Sequence, residues 1–246
     1  GEVVVTAQKR EQELQDVPFS IQAFEAGTLD DTNIRDLSEL ITFVPGASED
    51  ISYGAGQRTF QLRGIATGAG DPTVGYYIDD TAFFGVGQGL APIALTFDID
   101  RIEVLRGPHG TLYGNGSMGG TLRYITKAPD LSRFEGKLRA DLSTTEGGDP
   151  GGSVDAVVNV PLVPGTVGLR LVASTERVGG YAEIPSAAVE NSNPADLTHA
   201  RAILLWAPTE RVVLRFQYAH SSAKQDGSLL LSSRDPPISI QAPGDY

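Results

Sequence analysis

Between Phe134 and His220 the sequence alternates with a period of two, and this constrains the fold more than any other feature. In Phe134–Leu142 the even positions are Phe134, Gly136, Leu138, Ala140 and Leu142, and the odd ones are Glu135, Lys137, Arg139 and Asp141. In a strand, all the apolar side chains of that stretch share one face and all the charges the other. The pattern returns in Val154–Leu162, Thr166–Glu176, Ala200–Trp206 and Val212–His220. Five such strands predict an antiparallel sheet with one apolar and one polar face. Soluble sandwiches and membrane barrels share that grammar, and the connections help to separate them. Longer ones at Glu146–Gly152 and Val178–Thr198 alternate with shorter ones at Val163–Gly165 and Ala207–Arg211. A barrel with short turns at one rim and long loops at the other has that rhythm. Strands of about 9–11 residues, tilted by about 45°, cover an apolar band of about 25 Å. A slip of one residue would turn the charges of the first strand towards lipid, at about 2–4 kcal/mol for each basic one near the midplane.

Upstream, to about Pro129, the grammar is that of a mixed α/β domain. Glu2–Ala7 is a short β-branched run, and Lys9–Asp16 is a polar stretch that predicts a tether. Strands are expected at Phe19–Phe24, with Phe19, Ile21 and Ala23 on one face, and at Thr59–Arg63, Val74–Ile78, Arg101–Leu105 and Leu122–Thr126. Ile34, Leu37, Leu40, Ile41 and Val44 recur at helical spacing, with Thr32 or Asn33 as N-cap and Pro45-Gly46 as the stop. Glycine-rich connections lie at Tyr53–Gln57, Thr67–Pro72 and Gly85–Gly89.

Several function classes fall away. A net charge of −12 offers no basic stripe for nucleic acid. With no cysteine there is no disulfide and no Cys-ligated zinc. No window of about 18 apolar residues predicts a transmembrane helix. His109, His199 and His220 are scattered without ligand spacing, and Asp79-Asp80 has no histidine beside it in sequence. No nucleophile–base constellation appears, so neither an enzyme nor a metal or other cofactor is expected. Gly114-Asn115-Gly116-Ser117-Met118-Gly119 matches a dinucleotide fingerprint, but a strand rather than a helix is expected after it, so the match is accidental.

The densest stretch is Asp100–Pro129, DRIEVLRGPHGTLYGNGSMGGTLRYITKAP. Its glycines, Gly107, Gly110, Gly114, Gly116, Gly119 and Gly120, let the chain fold back closely on its own sheet. Arg106, at the end of a strand and before Gly107-Pro108, can reach outwards to carboxylates. The stretch resembles the plug domain of TonB-dependent outer-membrane receptors in Arg101, Glu103, Arg106, Gly107, Pro108, Gly110, Tyr113, Gly114, Gly119 and Gly120. Upstream, the resemblance continues through Val17-Pro18, Asp36-Leu37, Val44-Pro45-Gly46, Leu62-Arg63-Gly64 and Val74–Asp80, the last ending in Asp79 and Asp80. His109 and Arg123 depart from the usual pattern.

The resemblance implies an α+β plug domain followed by antiparallel amphipathic β-strands of an incomplete transmembrane β-barrel. The expected limits are residues 1–16 for the TonB box and tether, 17–129 for the plug and 130–246 for the N-terminal portion of the barrel. Five strands cannot close around a plug, since plugged transporters use about 22, so the chain is expected to stop within an extracellular loop. Glu2, Val3, Val4, Val5, Thr6 and Ala7 are similar to a TonB box, an extended segment added as a strand to the TonB periplasmic domain. Read alone, they form an ordinary edge strand. Arg63 and Arg106 match the arginines that pair with barrel-wall glutamates in the family; the alternative is that they tie the plug's own turns together. The implied protein sits in the outer membrane, in contact with lipid, with its plug and N-terminus open to the periplasm. It takes up a small ligand, with ferric siderophore the default and cobalamin, haem and glycans known in the family. Ligand contacts are expected in Ala66–Pro72 and Phe83–Pro92. The competing reading is a soluble or surface β-rich binding or adhesion module without transport, in which Leu138, Val158, Leu171, Leu214 and Phe216 pack against a second sheet.

Overall fold

A computed structural model describes residues 4–10, 12–50, 59–65, 72–82, 95–114, 116–181 and 191–225. Glu2, Val3, the connections Tyr53–Gln57 and Gly85–Gly89, and both segments expected to contact ligand, except for Pro72, lie outside these residues. The chain divides into two compact units, the first ending at Lys127 and the second beginning at Ala128.

The first unit runs β1 (Val4–Val5), β2 (Gln12–Glu13), a 3₁₀ turn (Leu14–Asp16), β3 (Ile21–Glu25), α1 (Ala26–Asp31), α2 (Leu37–Thr42), β4 (Ala47–Asp50) and β5 (Thr59–Leu62). It continues with β6 (Val74–Ile78), β7 (Thr81–Ala82), β8 (Ile99–Arg106), α3 (Gly110–Tyr113) and β9 (Gly120–Thr126). Five strands form one sheet in the order β3-β8-β9-β6-β7. Within it β6 and β9 are parallel and the other pairs antiparallel. Phe24, Val74, Tyr76, Ile102, Val104, Leu122 and Tyr124 pack with Leu29 of α1 and Leu37, Leu40 and Ile41 of α2 in the main core. Burial pushes the phenols of Tyr76 and Tyr124 well above their ordinary range.

The helical region departs from expectation. The periodic run from Ile34 to Val44 is not one helix capped at Thr32 or Asn33; Thr32 closes α1, and Asn33 adopts a left-handed φ of 54°. Asp36 is the N-cap of α2, its carboxylate accepting the Glu39 N–H at 2.9 Å. The Glu39 carboxylate reaches back to the Arg35 N–H at 2.6 Å. This reciprocal pair fixes the start of α2 later than periodicity alone implies.

The second unit is a five-stranded antiparallel meander of β10 (Glu135–Ser143), β11 (Gly151–Val163), β12 (Val167–Val178), β13 (Ala195–Thr209) and β14 (Val212–Gln225). Register aligns Leu138, Ala156 and Ala173 on one face, and Glu135, Asn159 and Arg170 on the other. On the polar face Arg139 donates to Asp155 at 2.8 Å and Arg170 to Glu135 at 3.3 Å. Asn159 ties down the lead-in to β10, accepting from Asp130 N and donating to the Asp130 and Arg133 carbonyls. Hydrogen bonds from Ser132 and then Arg133 hold the Asp130 carboxyl well below the usual carboxylate range.

The apolar face faces outwards. Leu138 is 73% exposed, Leu142 96%, Phe216 57% and Tyr218 65%, and Leu171 and Leu214 are also exposed, while Val158 is half-buried. Among the described residues no second sheet covers them. No helix among those residues is long and apolar enough to cross a membrane, which leaves strands untouched as a means of crossing.

Candidate functional site

Alternation on β8 sends Ile102 and Val104 into the main core and Arg101, Glu103 and Leu105 to the opposite face of the sheet. On β9 the same rule places Arg123 on that face, directly opposite Glu103 in the antiparallel ladder. Both side chains are buried, Glu103 at 0% exposure and Arg123 at 2%. Two buried charges persist only when paired and hydrogen-bonded, and removing one partner of such a pair costs about 3–5 kcal/mol.

The pairing here extends to the start of the chain. Glu103 Oε2 accepts from Arg123 Nη1, and Glu103 Oε1 accepts from Arg101 Nε at 2.9 Å and from the Thr6 main-chain N–H at 2.8 Å. The Thr6 hydroxyl accepts from Arg101 Nη2 and Arg123 Nη1, each at 3.1 Å. Tyr113, at the end of α3, donates its hydroxyl to the Ala7 carbonyl at 2.6 Å. Burial pushes its phenol up to about 12, which keeps the proton on the donor. Tyr77 donates to the Tyr113 carbonyl at 2.6 Å. Lys9 pairs with Asp80 at 2.6 Å and lies 5.1 Å from the centroid of the Tyr113 ring.

The expected TonB-box segment is therefore not a free edge in its described part. Val4 and Val5 pair with Glu13 and Gln12, while Val5 and Ala7 are fully buried. The polar stretch expected as a tether folds back as β2 and a 3₁₀ turn. Lys9, with φ 62°, sits at the turn, its N–H bonded to the Thr6 carbonyl at 2.9 Å.

The other expected residues fall into two groups. Asp79 is a tie within the fold: its carboxylate accepts both the Thr126 N–H and hydroxyl at 2.9 Å, and its φ of 53° turns β6 into β7. Asp80, beside it, belongs to the charged cluster. Arg63 and Gly64 have φ values of 54° and 73° at a two-residue turn closed by the bridge Leu62–Ile65, which puts Arg63 at the tip. Arg63 leans over Gly107, where a Cβ would stand 3.1 Å from its Nη1. Arg106 donates to the Pro45 carbonyl at 3.4 Å, and its Nε finds no hydrogen-bond partner. Among the described residues neither guanidinium meets a carboxylate.

Pro108 is exposed between Gly107, whose N–H reaches the Gly119 carbonyl, and α3, which Gly110 opens and Gly114 follows. Gly120 is demanded by crowding, since a Cβ there would lie 2.4 Å from both the Leu105 carbonyl oxygen and Leu62 Cδ1. The strand β9 begins at Gly120, as expected for an accidental nucleotide fingerprint. Among the described residues no group of three or more His, Asp or Glu side chains is placed to hold a metal ion.

Arg123 is the residue that sequence reasoning passed over. It reads there as a departure from a family pattern at a position without chemistry, yet it is the buried partner of Glu103. The available signal was its place on an alternating strand next to the Arg101–Glu103 pair.

Comparison with known proteins agrees with the fold. The family model of the TonB-dependent Receptor Plug Domain matches residues 13–121. A pesticin receptor of Yersinia pestis is 31% identical over 132 residues, which is 52% of this chain and 19% of that protein. The vitamin B12 transporter BtuB of Vibrio vulnificus is 29% identical over 135 residues, 53% of this chain and 21% of that protein. Among solved structures, the outer-membrane ferripyoverdine receptor of Pseudomonas aeruginosa matches with a TM-score of 0.75 at 19% identity. That match covers 92% of this chain and 28% of the receptor, and it speaks to fold alone. The chain thus spans about a fifth of the length of these curated relatives. Residues 13–121 match the plug domain of TonB-dependent receptors, and the chain has the fold of solved outer-membrane receptors.

Proposed function

We propose that this chain supplies the plug and the first five barrel strands of an outer-membrane receptor that imports a small ligand with energy delivered by TonB. The carrying observation is the second unit's apolar face, with Leu138, Leu142, Phe216 and Tyr218 turned outwards. A soluble module would cover that face, because contiguous exposed apolar area is costly in water and is not so in lipid. Strands of 9 to 15 residues are long enough for an outer-membrane band of about 25 Å.

In this reading the plug, residues 17–129, closes the lumen of a barrel that begins at about residue 130. Glu2–Ala7 is the strand that TonB takes up from the periplasm, by main-chain pairing. Arg63 and Arg106, without carboxylate partners among the described residues, are the groups that meet glutamates of the barrel wall. The ligand is a small chelate such as a ferric siderophore, supported by the names of the relatives, which include a ferripyoverdine receptor and a vitamin B12 transporter.

The test is deletion of Val3–Thr6 in the receptor, with surface binding and uptake of a radiolabelled ferric siderophore measured separately. The expected outcome is retained binding with uptake abolished. Uptake at the undeleted rate would sink the energy-coupling assignment.

A further inference from the structure

The apolar face of β10–β14 ends differently at its two edges. Towards the short connections it finishes in Val167, Trp206 and Leu214, a row in register across three strands that carries no charge. Towards the long connections, Thr175, Thr198 and Ser222 form one row, and Arg177, Asp196 and Lys224 form the next. Arg177 lies on the same face as the exposed Leu142, since both pair with Gly152. All three charged side chains are exposed, and among the described residues none of them forms an ion pair.

Their depth suits a headgroup layer. Ala173 shares a row with Leu138, and Arg177 lies four residues further on, about 13 Å along the strand. A basic side chain on a lipid-facing strand is costly at the midplane and nearly free at the interface. The apolar stems of Arg and Lys let their charged heads rise to the level of lipid phosphates. Arg177 and Lys224 stand two strands apart, about 10 Å between backbones, near enough for both to reach one phosphate. The guanidinium fork matches phosphate oxygens, and the hydroxyls of Thr175 and Thr198 are donors one row below. Asp196 stands between the two cations and leaves the row a single net positive charge, so it opposes the attraction.

We propose that Arg177 and Lys224, with the Thr175 and Thr198 hydroxyls, bind the phosphate of an anionic lipid headgroup in the leaflet on the side of the long connections. The proposal rests on reading this face as lipid-facing. It adds selectivity to that reading: one boundary of the face chooses its lipid by charge, and the Trp206 boundary does not.

The experiment places the intact receptor in phosphatidylcholine vesicles at low ionic strength, with a fluorophore on Val154→Cys, a position in register with Thr175. Quenching by brominated phosphatidylglycerol is compared with quenching by brominated phosphatidylcholine. Each cation near an anionic lipid surface is worth about fivefold in affinity, so two cations against one acid give an expected preference for phosphatidylglycerol of about fivefold. Arg177→Gln and Lys224→Gln should each bring the two lipids to near parity, and Asp196→Asn should raise the preference about fivefold further. The same fluorophore on Trp206→Cys should show no preference. Equal quenching by the two lipids at Val154→Cys would overturn the site, as would a preference that ignores all three substitutions or appears equally at Trp206→Cys. Inorganic phosphate at matched ionic strength should leave the preference intact; displacement would assign the site to free phosphate and overturn the lipid. Quenching by neither lipid would remove the face from the membrane, and the reading beneath the proposal would fall with it.

Discussion

Each unit holds a five-stranded sheet, and the two use apolar residues in opposite ways. On β8 and β9 nearly every side chain is buried, because helices cover one face and the N-terminal segment covers the other. On β10–β14 large apolar side chains such as Leu138, Leu142, Phe216 and Tyr218 are exposed, and the opposite face carries the cross-strand ties. Alternation specifies which side chains share a face. It does not specify the medium that the face meets. The first sheet has that medium within its own unit, whereas among the described residues the second unit supplies none for its exposed apolar face.

The comparison can be broken most directly in the plug core. Leu122, fully buried, is expected to cost about 2–5 kcal/mol on truncation to alanine, read as a shift in the urea dependence of plug proteolysis in the intact receptor. The matched change Leu142→Ala, at a side chain that is 96% exposed, should stay within about 0.5 kcal/mol. Equal losses at the two positions would mean that the sheets are not different in kind. A sharper contrast comes from Leu138→Arg. In lipid bilayers it should destabilise by about 2–4 kcal/mol if the residue lies near the midplane, with little effect in aqueous detergent-free folding assays of the same segment. A loss that ignores lipid would point to a protein partner on that face.

The smallest expected effect is a pH slope confined to the plug. Burial lowers the His109 imidazole below its ordinary 6.5, with Arg63 adding to the shift and the Gly107 carbonyl opposing it. The unfolded chain therefore takes up the proton at higher pH than the fold does, so stability is fullest above about 6.5 and falls as pH drops through the lowered value. His109→Gln should flatten the decline in plug stability between about pH 7 and about pH 5. An unchanged slope would assign the decline to other groups.

Much of this was open to reading from the residues, and for identifiable reasons. Period-2 runs gave all five strands of the second unit, since one face must be apolar for the sheet to exist at all. Val74–Ile78 was legible from its β-branched and aromatic run. The short α1 was not, because only Leu29 of its residues is buried and a single apolar side chain has no period. The later start of α2 depended on a hydrogen-bond pair, Asp36 with Glu39, that competes with the hydrophobic pattern. The cluster around Glu103 was hidden for a different reason. Its members come from residues 6, 9, 80, 101, 103, 113 and 123, and only the strand order brings them together.

That strand order also bears on how the plug assembles. The second unit's meander pairs each strand with its sequence neighbour, so its loops close over short distances. In the plug, β3 must wait for β8, since Ile21 pairs with Leu105. The bond from Thr6 to Glu103 closes a loop of 97 residues. Contacts of such separation carry the larger closure entropy and form late, once β8 and β9 offer a surface to land on. Residues 4–7, which precede β8 and β9 in the chain, are thereby among the last to find their place, and their docking reports that the sheet beneath them is complete.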